Sequence, residues 1–175
     1  MEKEGLIVNI LLRSYSEADW ESTRCFIVSQ WGQAHPMADR SLFTWQFRGF
    51  GRAREEIRPI LLFIDGVLAG FRGLIPGLYQ VPSVKGVEIL PGGSLAMWML
   101  RKEFRGLGLG RLMHAEAQRL CPVLSGAGSN PETSVPIYLK NGFQFLEAMN
   151  RYLAVLDPQA CRDLFGSQAA AIPPA

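Results

Sequence analysis

The chain has 175 residues, enough for one domain that buries roughly 70% of its unfolded surface in a single core. Hydrophobic residues make up 48% of it, charged residues 19%, and the formal net charge is +2. This profile excludes intrinsic disorder and lacks the charge excess of a nucleic-acid binder. The cysteines, Cys25, Cys121 and Cys161, show no metal-ligand spacing and predict free thiols. Residues 5–12 are too short to span a bilayer, so we expect a soluble, cytoplasmic protein.

The first elements are predicted from a short apolar run and a capping pattern. Residues 6–12 favour a strand. Ser16 and Asp19 form an [ST]-x-x-[DE] capping box, which predicts a helix that begins at Ser16 and ends at Gly32. Residues 41–50 favour a second, unusually aromatic helix.

The middle of the chain contains a hairpin signal. Asp65-Gly66 joins the apolar runs 60–64 and 67–71, and this dipeptide is typical of a two-residue type I′ turn. Two further strands are predicted at 74–81 and 87–90, joined by a second hairpin loop. We therefore expect antiparallel strands throughout this part of the chain.

A glycine-rich turn follows the next apolar run. Residues 95–100 are apolar without alternation, which predicts a central strand buried on both faces. The glycines within 106–110 precede a helical apolar stripe over 109–120. Free amides and the positive end of a helix converge at such a turn, so we predict that a phosphorylated group binds there.

Two common phosphate motifs do not fit this turn. A Walker loop ends in Gly-Lys-Ser/Thr, whereas Gly110 is followed by Arg111-Leu112. The dinucleotide motif G-x-G-x-x-G fails from Gly106 and from Gly108, because positions 111 and 113 are not glycine.

The motif that does fit is Arg105-x-x-Gly108-x-Gly110, which resembles the R/Q-x-x-G-x-G/A signature of the GNAT superfamily of N-acetyltransferases. The resemblance extends over residues 6–156, and the supporting features in chain order are Leu12-Arg13 with Asp19, the Asp65-Gly66 hairpin, and Tyr138-x-x-x-Gly142-Phe143.

This resemblance implies an α/β (α+β) fold, with a mixed, mostly antiparallel sheet, central splayed strands and flanking helices. It places a single acyltransferase domain over 1–156 and a C-terminal tail over 157–175. The last helix is expected to begin at Asn130-Pro131 and end at Asn141-Gly142. The last strands are expected within 143–156.

The resemblance also implies the acyl donor and the residues that hold it. Acetyl-CoA is the expected donor, without a metal. Loop amides would bind its pyrophosphate, while the pantetheine would lie along the preceding strand, where one main-chain group could polarise the thioester carbonyl. The candidate residues are Met99, Leu100, Arg101, Arg105, Gly106, Leu107, Gly108, Leu109, Gly110, Arg111 and Asn130.

The catalytic residues are less clearly indicated. Tyr138 matches the family tyrosine that protonates the departing thiolate, with packing on the last helix as the alternative. Asn130 lies eight residues before Tyr138 instead of seven, which favours an N-cap role over cofactor contact. His114, spaced with Arg111 and Gln118, is predicted to lie on a solvated helix face without a role.

The general base is where the sequence departs from the family, because residues 95–100 carry no ionisable side chain. Glu88 is the nearest upstream carboxylate, Ser94 could position a water, and His35 has a suitable side chain. Each also has a structural interpretation, and the amine could instead arrive neutral.

These observations predict an N-acetyltransferase that moves an acetyl group from acetyl-CoA to a primary amine by direct attack. The alternatives are a catalytically silent module for ligand sensing or assembly, and an acyltransferase for a longer acyl-CoA. We expect a small-molecule amine as partner, with an amino sugar as one candidate, and neither nucleic acid nor membrane; a homodimer is left open. Aromatic residues and arginines within 43–54 suit a ring with a nearby phosphate or carboxylate, although solvated arginines would look the same.

Overall fold

The computed structural model describes residues 9–48, 57–127 and 129–145, and the chain divides into two units, 1–129 and 130–175. The first unit contains a five-stranded sheet in the order β1-β2-β3-β4-β5. All neighbouring pairs are antiparallel except β4 with β5, which is parallel. The strands are β1 (Ile10–Ser14), β2 (Ile60–Ile64), β3 (Val67–Ser83), β4 (Gly86–Leu100) and β5 (Val123–Gly126).

The α-helices are α1 (Trp20–Trp31), α2 (Arg40–Arg48) and α3 (Leu109–Leu120) in the first unit, and α4 (Ser134–Lys140) in the second.

The predicted start and end of the first helix are confirmed. The Ser16 amide and hydroxyl both donate hydrogen bonds to the Asp19 carboxylate, at 2.8 and 2.7 Å. A 3-10 turn over Glu17–Asp19 leads directly into α1. The helix is capped at its C-terminus by Gly32, whose backbone φ of +93° is rarely adopted by residues other than glycine.

The predicted type I′ hairpin is also confirmed. Asp65 and Gly66 have φ values of +48° and +80°, as this turn requires at both central positions. The Asp65 side chain accepts a hydrogen bond from the Asn9 amide at 2.9 Å, which ties the turn to the start of β1.

The strands of the second hairpin are longer than predicted. The runs predicted as separate strands at 67–71 and 74–81 form one strand, β3, and those at 87–90 and 95–100 form one strand, β4. Pro76 does not interrupt β3, because β2 pairs only as far as Arg72 and the rest of β3 has β4 as its one neighbour among the described strands.

The prediction that residues 95–100 are buried on both faces is wrong. Only Leu95 is buried, while 96–100 are half-buried. The physical reason is that β5 pairs with β4 only over Gly92–Leu95, so the end of β4 has no strand on its second side within the described residues.

Two apolar clusters cover the two faces of the sheet. One joins the sheet to α1 and α2, and its buried members are Tyr15, Trp20, Phe26, Ile27, Met37, Phe43, Phe47, Leu61, Leu68 and Phe71. The other joins the sheet to α3, and its buried members are Leu62, Ile64, Ala69, Leu109 and Met113. The predicted α3 stripe holds for Leu109, Met113 and Ala117, whereas Leu112 is exposed.

In the second unit, α4 ends where predicted, with Gly142 at φ +83° just beyond its C-cap. The predicted start at Asn130-Pro131 is wrong, because residues 131–133 form a turn and the helix begins at Ser134. Residues 143–145 are not a strand. The rest of the predicted last strands, the tail at 157–175, and Cys161 lie outside the described residues, as do residues 6–8, Arg52 and Arg54.

Candidate functional site

The first feature of the candidate site is a free backbone edge on β4. The last β4–β5 pair is Leu95 with Gly126, and beyond it β5 no longer accompanies β4. Met97 has a φ of +38° and lies between the cross-strand pairs formed by Trp98 and Ala96, so it is the extra residue of a β-bulge. The described β4–β5 pairing therefore ends beside the bulge, a point that we call the splay, and residues 96–100 have no described strand along their second edge.

The second feature is the glycine turn that follows this edge. Gly106 and Gly108 have φ values of +80° and +77°, and Gly108 is the N-cap of α3. A Cβ built on either glycine would meet nothing within 4 Å, so both face open space. The amides of 106–108 donate to no backbone carbonyl of the described residues, and the first amides of a helix have no intrahelical acceptor. The turn therefore presents clustered donors at the positive end of a helix.

Gly110 has a different role from the other two glycines. A Cβ on Gly110 would lie 3.3 Å from Cζ2 of Trp98, closer than ordinary van der Waals contact. Glycine at this position lets the first turn of α3 pack directly on β4. The turn and the free edge are thereby held together.

Two arginines fix the main chain between the edge and the turn. The Arg101 side chain donates to the Leu68 carbonyl at 2.8 Å, and its amide donates to the Ala69 carbonyl at 2.9 Å. The Arg105 Nε donates to the Leu100 carbonyl at 3.0 Å. Both side chains hold the end of β4 in place and add positive charge beside the turn.

The other candidate donor-binding residues of the first unit lie along the same path. Met99 and Leu100 are half-buried on the free edge, Leu107 is exposed in the turn, and Arg111 is exposed on the first turn of α3. Leu109 is buried in the core cluster beneath α3, so only its main chain is available.

Tyr138 and Asn130 belong to the second unit. Asn130 Oδ1 accepts hydrogen bonds from the amides of Glu132 and Thr133, at 2.8 and 3.0 Å, so it caps the turn over 131–133 that precedes α4. The N-cap of α4 itself is Thr133, so the predicted helix N-cap role of Asn130 is wrong. Tyr138 is half-buried on α4, with its ring centroid 5.3 Å from that of Phe143.

The candidate bases lie in different surroundings. Glu88 is exposed on β4, seven residues before Leu95, a separation of about 23 Å along a strand. His35 caps a 3-10 turn, with Nδ1 accepting from the Met37 amide at 3.2 Å. Ser94 is half-buried and pairs with Ser125 across the parallel strands, next to the splay.

A polar pair at the base of the splay was not predicted. The hydroxyls of Tyr79 and Ser125 lie 2.8 Å apart, and Ser125 directly precedes the last β4–β5 pair. The Tyr79 ring passes over Gly92, where a Cβ would lie only 2.6 Å from it. Only Gly92 signals this contact in the sequence, since a strand glycine often marks a close approach.

The prediction that His114 lies on a solvated face is wrong. His114 is fully buried, and its ring stacks on Trp98 with centroids 5.8 Å apart. The buried guanidinium of Arg72 lies 4.6 Å from the centroid of the same Trp98 ring system. Burial and the charge of Arg72 lower the pKa of His114 to about 4, so this histidine is neutral at physiological pH. The turn of α3 at Gly110 brings position 114 over Trp98, because residues four apart share a helix face.

Cys121 is not suited to act as a nucleophile. Its side chain is buried, and burial raises the pKa of the thiol to about 11. Among the described residues, no group of three His, Cys, Asp or Glu side chains could hold a metal ion. No helix in the described part of the chain is long and apolar enough to cross a membrane.

Comparison with known proteins identifies the fold. No family model and no curated protein sequence matches the chain. Among solved structures, AAC(6')-Iy in complex with the bisubstrate analog CoA-S-monomethyl-acetylneamine is 18% identical with a TM-score of 0.61, over 84% of this chain and 99% of that one. The aminoglycoside antibiotic 6'-N-acetyltransferase AAC(6')-IG from Acinetobacter haemolyticus is 18% identical with a TM-score of 0.56, over 84% and 99%. A GNAT family acetyltransferase from Staphylococcus aureus is 14% identical with a TM-score of 0.55, over 82% and 98%.

Proposed function

We propose that this chain, which has the fold of the GNAT acetyltransferases, transfers an acetyl group from acetyl-CoA to a primary amine of a small molecule. The observation that carries the proposal is the free edge of β4, which leads directly into the glycine turn at the start of α3. This combination offers strand-like pairing to an extended amide chain and clustered N–H donors to a pyrophosphate. The neighbour AAC(6')-Iy was solved with CoA and with a CoA bisubstrate analog, which agrees with this assignment.

The donor would be held mainly by main-chain groups. The amides from Gly106 to Arg111 would bind the pyrophosphate, and the edge formed by Met99, Leu100 and Arg101 would pair with the pantetheine. Glycine at 106 and 108 suits this role because a side chain there would fill the space that the phosphates need. Bound acetyl-CoA supplies the thioester whose acyl group is transferred.

The chemistry assigned to the protein is positioning and proton handling. A main-chain N–H at the splay would donate to the carbonyl oxygen as the amine nitrogen attacks, because charge develops on that oxygen. Tyr138 is our candidate for the group that protonates the leaving sulfur, since its phenol hydroxyl is a hydrogen-bond donor.

The proton lost by the amine needs another group. Residues 95–100 offer no ionisable side chain, and Glu88 lies far along the strand from the splay. The Tyr79 and Ser125 hydroxyls lie at the splay itself, and together they could order a water that relays the proton from the amine to bulk solvent. We therefore place this pair ahead of Glu88 as the proton-handling group, and Ser94, which pairs with Ser125, and His35 stay as the other candidates.

Two alternatives are kept. A silent module that binds the donor without turnover is favoured by the absence of a carboxylate on residues 95–100. A longer acyl group is the second alternative, since Trp98 and Met99 do not by themselves set the acyl length.

The test is calorimetric titration with acetyl-CoA, followed by a thiol-release assay across amines. The protein should bind acetyl-CoA, and it should release free CoA when at least one of the amines is added. A folded sample that binds no CoA thioester would refute the proposal. Donor binding without turnover of any amine would favour the silent module, and faster turnover of longer thioesters would favour the second alternative.

A further inference from the structure

A second concave site lies on the α2 side of the sheet. A cavity of about 480 Å³ opens between the end of β1, α2 and the residues before β2. This volume is within the range of small-molecule binding sites. The described residues that line it include three arginines, one glutamate and three aromatic side chains.

The cavity is strongly cationic. Among the described residues, the arginines that line it are Arg40, Arg48 and Arg58, and Glu17 is the one carboxylate. Glu17 Oε2 lies 3.4 Å from Arg40 Nη2, so the charges of these two side chains largely compensate each other. Arg48 and Arg58 form no ion pair with any described residue, which leaves two positive charges facing the cavity.

The floor of the cavity is aromatic. Tyr15, Phe43 and Phe47 are all buried, and their rings form part of the core. Burial, followed by the charge of Glu17, raises the pKa of Tyr15 to about 12. Its hydroxyl therefore stays protonated and able to donate a hydrogen bond to an anion.

Phe47 connects this cavity with the splay. A Cβ on Gly73 would lie 3.0 Å from the Phe47 ring and 2.7 Å from the Ala96 carbonyl. Phe47 thus packs over the Gly73–Ala96 pair, next to the bulge at Met97. The Phe47 ring therefore both lines the cavity and contacts the strand pair beside the bulge, so a single side chain links the two places.

We propose that this cavity binds the acceptor, and that the acceptor is an amine carrying an anionic group, a carboxylate or a phosphate, held by Arg48 and Arg58. This inference rests on the proposed function. Guanidinium groups bind carboxylates and phosphates through paired N–H donors. A polycationic amine such as an aminoglycoside would meet like charge in the same cavity, which separates this chain from the two aminoglycoside acetyltransferases of the same fold.

The test compares matched amines in the thiol-release assay. The pairs are glucosamine 6-phosphate with glucosamine, and phenylalanine with phenylalaninamide; neamine is the polycationic comparison. The pairs separate phosphate from carboxylate as the recognised group. In at least one pair the anionic member should have a kcat/KM roughly tenfold or more above its neutral partner, the scale of one lost charge-assisted hydrogen bond.

Two arginine variants link that preference to the cavity. Arg58→Gln and Arg48→Gln should each raise the KM of the anionic amine roughly 10- to 100-fold and leave acetyl-CoA binding unchanged. Arg119→Gln, on an exposed α3 side chain outside the cavity, removes the same charge and should change neither. Because Arg48 is exposed at the end of α2, its variant is expected to fold normally even if the Arg58 variant does not.

The outcomes separate this inference from the proposed function. If the unmodified protein does not bind acetyl-CoA, the proposed acetyltransferase function itself is refuted. With the donor bound, three results would overturn the anionic acceptor: a neutral amine or neamine as the best substrate, no turnover of either anionic amine, or an anionic preference that both arginine variants retain.

Discussion

Protonation of His114 is expected to destabilise this protein at mildly acidic pH. In the folded state His114 is buried against Trp98, and burial together with Arg72 lowers its pKa to about 4, from 6.5. The unfolded chain therefore binds the proton more readily, so stability is complete above pH 6.5 and falls as the pH drops toward 4. Between pH 8 and pH 5 the two pKa values correspond to a loss of about 2 kcal/mol.

The measurement is urea denaturation followed by intrinsic fluorescence, at several pH values from 8 to 5. His114→Phe keeps a flat ring beside Trp98 but cannot titrate, so its stability should change little across this range. His35→Gln is the matched control, because His35 is the other of the two histidines and lies outside the stack. Asp19 does not interfere, because its folded pKa of about 2 and its ordinary value of 3.8 both lie below the range.

The comparison rests on the slope of stability against pH, so a constant loss of stability from the substitution does not affect it. The reasoning about His114 fails if the unmodified protein shows no pH dependence from 8 to 5, or if His114→Phe keeps the full dependence.

Three further predictions concern the site and the N-terminal ion pair. Gly108→Glu places bulk and negative charge in the open space beside the turn amides, so it should abolish acetyl-CoA binding measured by calorimetry. Its circular dichroism spectrum should stay near normal. If the variant kept its affinity for acetyl-CoA, the anion site would have to lie elsewhere. Tyr138→Phe should lower kcat roughly 10- to 1000-fold while the acetyl-CoA affinity is kept, and an unchanged kcat would return Tyr138 to a packing role. Asp19→Asn should lose about 2 kcal/mol of unfolding free energy at pH 7, since hydrogen bonding to Arg13 lowers the pKa of Asp19 to about 2. That stability is present above pH 3.8 and is lost as the pH falls through 2, so a difference from the unmodified protein that is still undiminished at pH 2 would contradict the assignment.

Local signals in the sequence predicted the elements whose geometry is set by a few adjacent residues. The Asp65-Gly66 turn, the Ser16 cap and the glycine stop at Gly32 depend on backbone conformations and short-range hydrogen bonds that these residue types favour. The glycine turn before α3 was predictable for the same reason. Its neighbour, the free edge of β4, was expected only from the family resemblance.

The features that sequence reasoning missed depend on partners distant in the chain. Gly110 and His114 are not part of the apolar stripe that predicted α3, although they form the face of α3 on which Trp98 packs. The hydroxyl contact between Tyr79 and Ser125 joins strands that no local rule brings together. The cavity arginines likewise come from two separate segments, of which the sequence indicated only that around Arg48.

The length of β3 has a consequence for how its two halves exchange amide hydrogens. Residues 70–72 pair with both β2 and β4 and are buried. Residues 78–83 pair with β4 alone among the described strands, and none of them is buried. Local opening requires little apolar surface to be uncovered at the far end, so amides there should exchange quickly while those near Phe71 exchange only on extensive unfolding. One continuous strand thus contains a rigid base and a segment that can open on its own. The chain can change length or composition around 83–87 without disturbing the layers that hold the free edge of β4.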